Sequence, residues 1–136
     1  MNAPERTDSL GGVARRVLVV DDDELILEVA QMSLEVVGGW TVTTASNGQE
    51  ALDRARAEQP DAIVMDVMMP RMDGPTAALA LRADPVTAGI PVVLLTASVQ
   101  ASERASLADL PVAGVLGKPF DPMLLPAELS AILGWS

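Results

Sequence analysis

The chain has 136 residues, a length typical of one domain that can bury a core of its own. It contains no His and no Cys, which excludes nucleophilic sites that need imidazole or thiolate, metal centres built on nitrogen or sulfur, and disulfides. Nineteen acidic against nine basic side chains give a formal net charge of −10, which disfavours nucleic acids and anionic membranes as partners. Any chemistry must therefore use carboxylates, hydroxyls, backbone groups, a metal ion or the one lysine, Lys118.

The N-terminal segment is polar and carries Glu5 and Asp8, so we expect no signal peptide. Its composition predicts a flexible leader over residues 1–15, followed by one domain over 16–136. No run of about 18 apolar residues, the length that a membrane-spanning helix needs, occurs in the chain. The sequence therefore predicts a cytoplasmic protein.

From residue 17 onward, short apolar runs alternate with longer amphipathic stretches. In chain order the pattern predicts a strand over 17–20 and a helix over 24–37, then strand 40–45 and helix 47–58, strand 62–65 and helix 74–83, strand 91–95 and helix 101–110, and strand 112–116 and helix 124–133. Gly38-Gly39 ends the first helix, and Pro126 requires the last helix to bend or to begin late.

Five successive strand-then-helix units with apolar strands predict an α/β fold, in which a five-stranded parallel sheet is covered by helices on both faces. Right-handed crossovers restrict this to a doubly wound sheet. In such sheets ligands bind beyond the carboxyl ends of the strands, so the residues that follow each apolar run are the candidate functional residues.

Two of the predicted strands are followed by carboxylates that suit phosphate or metal chemistry. Asp21, Asp22 and Asp23 follow the first strand, and Asp66 follows the third. One acid of the triplet is expected to cap the next helix, whereas Asp66 has no helix to cap. Adjacent carboxylates repel one another, and an oxygen-only ligand set favours a hard cation, Mg²⁺ first. Asp73-Gly74 is expected to form a turn and a cap.

Thr96 and Lys118 follow the fourth and fifth strands. Thr96 could simply be a β-branched residue at the end of a strand, and Lys118 could be an ordinary surface charge or a partner of a nearby Asp. Because a lysine is a compact point charge that fits beside a phosphoryl oxygen, a functional role for Lys118 is also open. The methionines around Asp66 are expected to pack an irregular loop.

These residues stand in motifs that resemble a bacterial two-component response-regulator receiver domain of the chemotaxis-regulator type. The resemblance runs from Val17 to Leu133 and rests on VLVVDDD, MDVMMPRMDG, LLTA and GKPF, at the separations that the family shows. It implies a flavodoxin-like fold with five helices and the strand order 2-1-3-4-5. It also implies that the chain is a phosphoacceptor signalling protein, which catalyses only its own phosphorylation and dephosphorylation.

The resemblance assigns a role to each matching residue. Asp66 is implied to accept a phosphoryl group from a histidine kinase or a phosphotransfer protein. Mg²⁺ is implied to bind the carboxylates of Asp22 and Asp66 and the backbone carbonyl of Met68, with Asp21 acting through water. Lys118 is implied to pair with the phosphate and to precede a cis peptide bond.

Thr96 matches the family's switch hydroxyl, but its usual aromatic companion is missing. The family places an aromatic three residues before the lysine, and Val115 stands there in this chain. The switch is therefore expected to use Thr96 and Val115 in an altered way. Met68 and Ser98 match positions that influence the lifetime of the phosphoryl group in the family.

The sequence thus predicts a stand-alone, single-domain regulator that changes its protein partners when Asp66 is phosphorylated. Because the chain has no His, its phosphohistidine donor must be a separate molecule. One alternative is a receiver-like adaptor that works without phosphorylation. The other is a small phosphatase of the haloacid-dehalogenase type, with Asp21 as nucleophile and Asp23 as acid.

Overall fold

The computed structural model describes residues 15–135, in which strands and helices alternate in the predicted order. The strands are β1 Arg16–Val20, β2 Thr41–Ala45, β3 Ala62–Asp66, β4 Val92–Thr96 and β5 Gly114–Gly117, and the helices are α1 Glu24–Met32, α2 Gly48–Glu58, α3 Gly74–Ala83, α4 Ala101–Ala108 and α5 Leu125–Leu133. None of the helices in this part of the chain is long and apolar enough to cross a membrane.

The strands form one parallel sheet in the order β2-β1-β3-β4-β5. The order reverses between β1 and β3, so the carboxyl ends of these two neighbouring strands lie at the switch point of the sheet. The predicted doubly wound, flavodoxin-like fold is confirmed. Residues that follow β1 and β3 are therefore brought side by side, although more than forty residues separate them in sequence.

Two apolar cores lie on opposite faces of the sheet, because successive strand side chains point to opposite sides. On one face Val19 and Val64 pack against Leu34, which follows α1, and against Leu129 of α5; we call this the α1–α5 core. On the other face Leu18, Ile63 and Leu94 pack against α2, α3 and α4, and form the α2–α4 core. The strands are consequently buried on both faces, as their continuous apolar runs predict.

The strand ends differ from the sequence prediction by one or two residues. β3 extends to Asp66, which pairs with Leu95, and β4 extends to Thr96, which pairs with Gly117. Asp66 and Thr96 are therefore the last paired residues of their strands, at the carboxyl edge of the sheet. The prediction that β5 begins at residue 112 was wrong, since the N–H group of Val112 bonds the carbonyl of Leu110 in a turn.

The first helix also differs in type. The predicted helix over 24–37 is α-helical only to Met32, and Ser33–Val37 is a π-helical segment. Within it the buried Ser33 hydroxyl donates a hydrogen bond to the carbonyl of Pro122, before α5. Pro126 lies in the first turn of α5, which begins at Leu125, so of the two alternatives, a bend or a late start, the late start is confirmed.

The predicted leader over residues 1–15 lies outside the described residues, apart from Arg15. The guanidinium of Arg15 lies 4.7 Å from the ring centroid of Trp135, and Trp135 meets Trp40 edge to face at 5.1 Å. These contacts link the residue that precedes β1 to the residues around α5 and β2.

Candidate functional site

The carboxyl edge of the sheet brings together side chains from four loops and strand ends. Asp21 follows β1, Asp66 is the last residue of β3, Thr96 is the last residue of β4 and Lys118 follows β5. Asp21, Asp66 and Thr96 are each at most 5% exposed. This edge is where a parallel sheet of this type binds its ligands.

Lys118 joins the two buried carboxylates. Its Nζ atom lies 3.1 Å from Oδ2 of Asp21 and 3.1 Å from Oδ1 of Asp66, and only 16% of its side chain is exposed. The other oxygen of Asp21 accepts a hydrogen bond from the Asp23 N–H group at 2.9 Å. The sequence-level alternative of an ordinary surface lysine is therefore wrong, because the ammonium is partly buried in an ion-pair network.

Burial and neighbouring charges shift the titration of this network. Burial raises the pKa of Asp66, and the carboxylates of Asp21 and Asp22 act in the same direction, while Lys118 opposes them. Burial works against the charged form of Lys118, but its hydrogen bonds to Asp21 and Asp66 outweigh burial and raise its pKa. The Lys118 ammonium therefore keeps its positive charge. A further cation nearby would stabilise the ionised form of Asp66.

The acidic cluster has the donor set of a site for a hard divalent cation. One carboxylate oxygen from each of Asp21, Asp22 and Asp66 lies within 4.8 Å of the others. Asp22 is exposed, while the other two are buried, so solvent can reach the cluster on one side. Oxygen ligands of this kind fit Mg²⁺, and waters could complete its octahedral shell.

The loop between β3 and α3 follows Asp66 closely. The N–H group of Val67 bonds the carbonyl of Leu95, and the N–H group of Gly74 bonds the carbonyl of Val67. A Cβ atom at Gly74 would lie 2.5 Å from the carbonyl oxygen of Asp66, so only glycine fits there. Met68 lies in this loop and is 74% exposed. Because its thioether is a soft ligand, its backbone carbonyl is the group that suits a hard cation.

Two aspartates near the cluster have capping roles. Asp23 accepts hydrogen bonds from the N–H groups of Leu25 and Ile26 at the start of α1. Asp73 accepts one from the N–H group of Thr76 at the start of α3. The predicted cap within the Asp21–Asp23 triplet is therefore Asp23, and the predicted role of Asp73 as a cap is confirmed.

Thr96 is tied to both the loop after β4 and the residue after β5. Its hydroxyl oxygen accepts a hydrogen bond from the N–H group of Ser98 at 3.0 Å, and its carbonyl accepts one from the N–H group of Lys118 at 2.8 Å. Val115 pairs with Leu94 in the sheet and packs, partly buried, against the α2–α4 core. The Lys118–Pro119 peptide bond is cis, as the resemblance implies.

One residue of this edge was missed by the sequence reasoning. Arg104 of α4 donates a hydrogen bond from Nε to the carbonyl of Ser98 at 3.0 Å, and the end of its guanidinium covers Gly117. No local pattern marks this arginine, since its partners lie six and thirteen residues away. The one sequence feature that pointed to a close contact at this place was Gly117, directly before Lys118, because a glycine in a strand often marks the close approach of another group.

A parallel sheet in this order, with buried carboxylates and one lysine at its carboxyl edge, defines a flavodoxin-like domain of the chemotaxis-regulator type. Comparison with protein families agrees, since the family model for the response regulator receiver domain matches residues 17–130. The chain belongs to this family. Receiver domains are phosphoacceptor signalling domains of two-component systems, and they bind Mg²⁺ at an acidic pocket.

Two regulators from different bacteria are among the relatives of this chain. The chain is 39% identical over 119 residues to the alkaline phosphatase synthesis transcriptional regulatory protein PhoP of Bacillus subtilis, covering 88% of this chain and 48% of that protein. It is 41% identical over 118 residues to the response regulator MprA of Mycolicibacterium vanbaalenii, covering 87% of this chain and 50% of that protein. The chain therefore spans about half the length of these relatives.

Solved structures show the same fold along their whole length. The chemotaxis response regulator CheY4 of Vibrio cholerae matches with a TM-score of 0.81 and 31% identity, covering 88% of this chain and 99% of that one. A putative response regulator from Chloroflexus aurantiacus matches with a TM-score of 0.81 and 32% identity, covering 89% and 98%.

Proposed function

We propose that Asp66 accepts a phosphoryl group from a histidine kinase or a phosphotransfer protein, and that this modification changes the protein partners of the chain. The observation that carries the proposal is the buried Asp66 carboxylate with the Lys118 ammonium 3.1 Å away and two further carboxylates beside it. A phosphoryl group on Asp66 would meet a fixed positive charge on one side and a cluster of cation ligands on the other.

The reaction needs little from the protein beyond position and charge. A carboxylate oxygen of Asp66 forms the new bond to phosphorus while the phosphorus–nitrogen bond of the donor phosphohistidine breaks. The electron pair of that bond stays on the imidazole nitrogen. Lys118 offsets negative charge on the oxygens of the transferred group. Mg²⁺, when held by Asp22, Asp66 and the Met68 carbonyl, with Asp21 acting through water, would supply the remaining charge neutralisation.

Thr96 is the residue that we propose reports the modification to the loop after β4. Its hydroxyl can donate to a phosphoryl oxygen, and a charge-assisted hydrogen bond contributes roughly 1.5–3 kcal/mol. Converting a two-state element from 1:99 to 99:1 requires about 5.5 kcal/mol, so two or three such contacts are enough. Val115 stands where the family has an aromatic residue, and it packs against the α2–α4 core. A movement of Thr96 in this chain must therefore be accommodated without the rotation of an aromatic ring.

The output is proposed to be a contact between proteins, made by the receiver domain itself. The net charge of −10 repels a phosphate backbone, so a direct contact with nucleic acid by this chain is disfavoured. PhoP, which is named as a transcriptional regulatory protein, is about twice as long as this chain, and so is the response regulator MprA.

Incubation with Mg²⁺ and acetyl phosphate, followed by intact mass measurement, tests the proposal. We expect the wild-type chain to gain the mass of one phosphoryl group and Asp66→Asn to gain none. Asp53→Asn serves as the matched control, because it removes an acid from the exposed surface of α2 and should leave the gain unchanged. Equal incorporation by wild type and Asp66→Asn would contradict the proposal.

A further inference from the structure

Arg104 links two parts of the site that the sequence does not connect. It is the fourth residue of α4, and its side chain is half-buried. Its Nε atom donates a hydrogen bond to the carbonyl of Ser98, in the loop between β4 and α4. The same guanidinium reaches across to β5, where it covers the backbone of Gly117.

The contact at Gly117 depends on the absence of a side chain. A Cβ atom at that position would overlap Nη2 of Arg104. The arginine therefore occupies the space that an alanine methyl group would fill. Gly117 pairs with Thr96 in the sheet and directly precedes Lys118, so the guanidinium lies against the strand segment that positions the lysine.

Ser98 connects Arg104 to the proposed switch hydroxyl. The N–H group of Ser98 donates to the Thr96 hydroxyl oxygen, and the Ser98 carbonyl accepts from Arg104. The Ser98 hydroxyl in turn bonds the carboxylate of Glu103, also on α4, at 2.9 Å. A movement of Thr96 toward a phosphoryl group must therefore shift Ser98 and strain its bonds to α4.

No aromatic ring can provide this link in the present chain. Its three aromatic side chains, Trp40, Phe120 and Trp135, all pack against the α1–α5 core, on the opposite face of the sheet from α4. Val115 packs against the α2–α4 core, and its small side chain carries no ring. The planar guanidinium of Arg104 is the rigid group that spans β5 and this loop.

We propose that Arg104 is the positioning residue that couples Thr96 and Lys118 to α4, through its hydrogen bond to Ser98 and its contact with Gly117. The inference rests on the proposed phosphorylation of Asp66 and specifies how that event is transmitted. A guanidinium can donate to Ser98 with one nitrogen while another covers Gly117. The single nitrogen of a lysine cannot occupy both places, so the coupling should require arginine rather than a positive charge.

The test compares the response of α4 to phosphorylation with the uptake of phosphoryl groups, in the full chain. Backbone amide chemical shifts of residues 101–108 are recorded before and after treatment with Mg²⁺ and acetyl phosphate, and phosphoryl uptake is measured separately by intact mass. In Arg104→Ala we expect uptake at Asp66 to persist while the shift changes on α4 fall below half of those in wild type. Arg104→Lys should show the same loss.

Gly117→Ala provides an independent variant that leaves the sequence of α4 intact. Its methyl group displaces the guanidinium, so the response of α4 should fall as in Arg104→Ala. The double variant should lose no more than either single one, because both changes break one interaction. Arg82→Ala, which removes an exposed arginine from α3, is the control and should respond like wild type.

An undiminished response of α4 in Arg104→Ala would overturn the inference. A loss in Arg104→Ala that Gly117→Ala does not share would also overturn it, since the effect would then belong to α4 alone. Failure of the wild-type chain to take up a phosphoryl group would instead refute the proposed function, and the inference with it. The mass measurement separates that case from the first two.

Discussion

Three carboxylates and one ammonium share the carboxyl edge of the sheet, and this imbalance has a consequence for stability. Asp21 and Asp66 both bond Lys118, and Asp22 lies beside them, so the cluster keeps an excess of negative charge. Like charges about 5 Å apart repel by roughly 3 kcal/mol at an effective dielectric constant of 20. A site built for a phosphoryl group and a cation is therefore strained when it holds only its own side chains.

Asp66→Asn should consequently stabilise the fold. The amide oxygen can still accept from Lys118, while the repulsion by Asp21 and Asp22 is removed. We expect the free energy of unfolding in denaturant, measured without divalent cations, to rise by on the order of 1 kcal/mol. Asp53→Asn, at an exposed site, should change it by less than about 0.5 kcal/mol. A clear loss of stability in Asp66→Asn would contradict this description of the cluster.

Gly74 illustrates a second constraint at the residue scale. In Gly74→Ala the new methyl group would meet the backbone of Asp66 and Val67, which cannot move aside without disturbing the end of β3. We expect a destabilisation of about 1–3 kcal/mol in thermal or denaturant unfolding, together with slower phosphorylation. Gly89→Ala is the matched control, because a Cβ atom at Gly89 meets nothing within 4 Å. Equal stabilities of the two variants would refute the argument.

At the scale of elements, the end of the first helix is held by a contact that local sequence does not reveal. The buried Ser33 hydroxyl donates to the carbonyl of Pro122, which belongs to the segment between β5 and α5. This bond connects the π-helical segment to the part of the chain that follows Lys118. Ser33 and Pro122 lie 89 residues apart in sequence, so the hydrophobic periodicity of the sequence could not predict their contact.

Ser33→Ala should therefore cost more than the loss of an ordinary surface hydroxyl. It leaves a carbonyl acceptor without its partner at a partly buried place, which costs about 1–3 kcal/mol in the free energy of unfolding. Ser106→Ala removes a hydroxyl that bonds its own helix at the exposed surface, and should change stability by less than about 0.5 kcal/mol. Chemical denaturation of both variants measures the difference in their free energies of unfolding. Similar losses of stability in the two variants would contradict a stabilising role for the bond between Ser33 and Pro122.

Most of the fold could be predicted because its signals are local. The run Val17 to Val20 and the amphipathic stretch from Glu24 predict a strand and a helix without any tertiary information. The two errors have different settings. The π-helical segment contains Ser33, which makes a long-range bond to Pro122, whereas β5 begins late because residues 110–112 form a local turn. The candidate site follows from topology, since parallel strands must bring their carboxyl ends together.

Sequence reasoning could not predict the individual contacts between these residues. It placed Lys118 and Asp66 at one edge, but not the shared contact with Asp21. It pointed to Val115 as the altered switch position, yet not to Arg104, which enters the site from another element. Contacts of this kind depend on side-chain packing across the sheet.

At the scale of the whole molecule, a divalent cation should couple to folding. A ligand that binds only the folded chain stabilises it by RT ln(1 + [L]/Kd), about 1.4 kcal/mol at ten times Kd. We expect Mg²⁺ to raise the melting temperature of the wild-type chain, and chelation to reverse the rise. Asp22→Asn should abolish most of the effect, while Asp53→Asn should retain it. An identical rise in Asp22→Asn would show that the stabilisation is non-specific screening.

The central claim is that Asp66 carries the phosphoryl group, and reductive trapping tests it most directly. Borohydride converts an aspartyl phosphate to homoserine, whose position tandem mass spectrometry of peptides identifies. After treatment with Mg²⁺ and acetyl phosphate, we predict homoserine at position 66 and at no other aspartate. Homoserine at position 21, as the phosphatase alternative requires, or unmodified aspartate at every position would contradict the account.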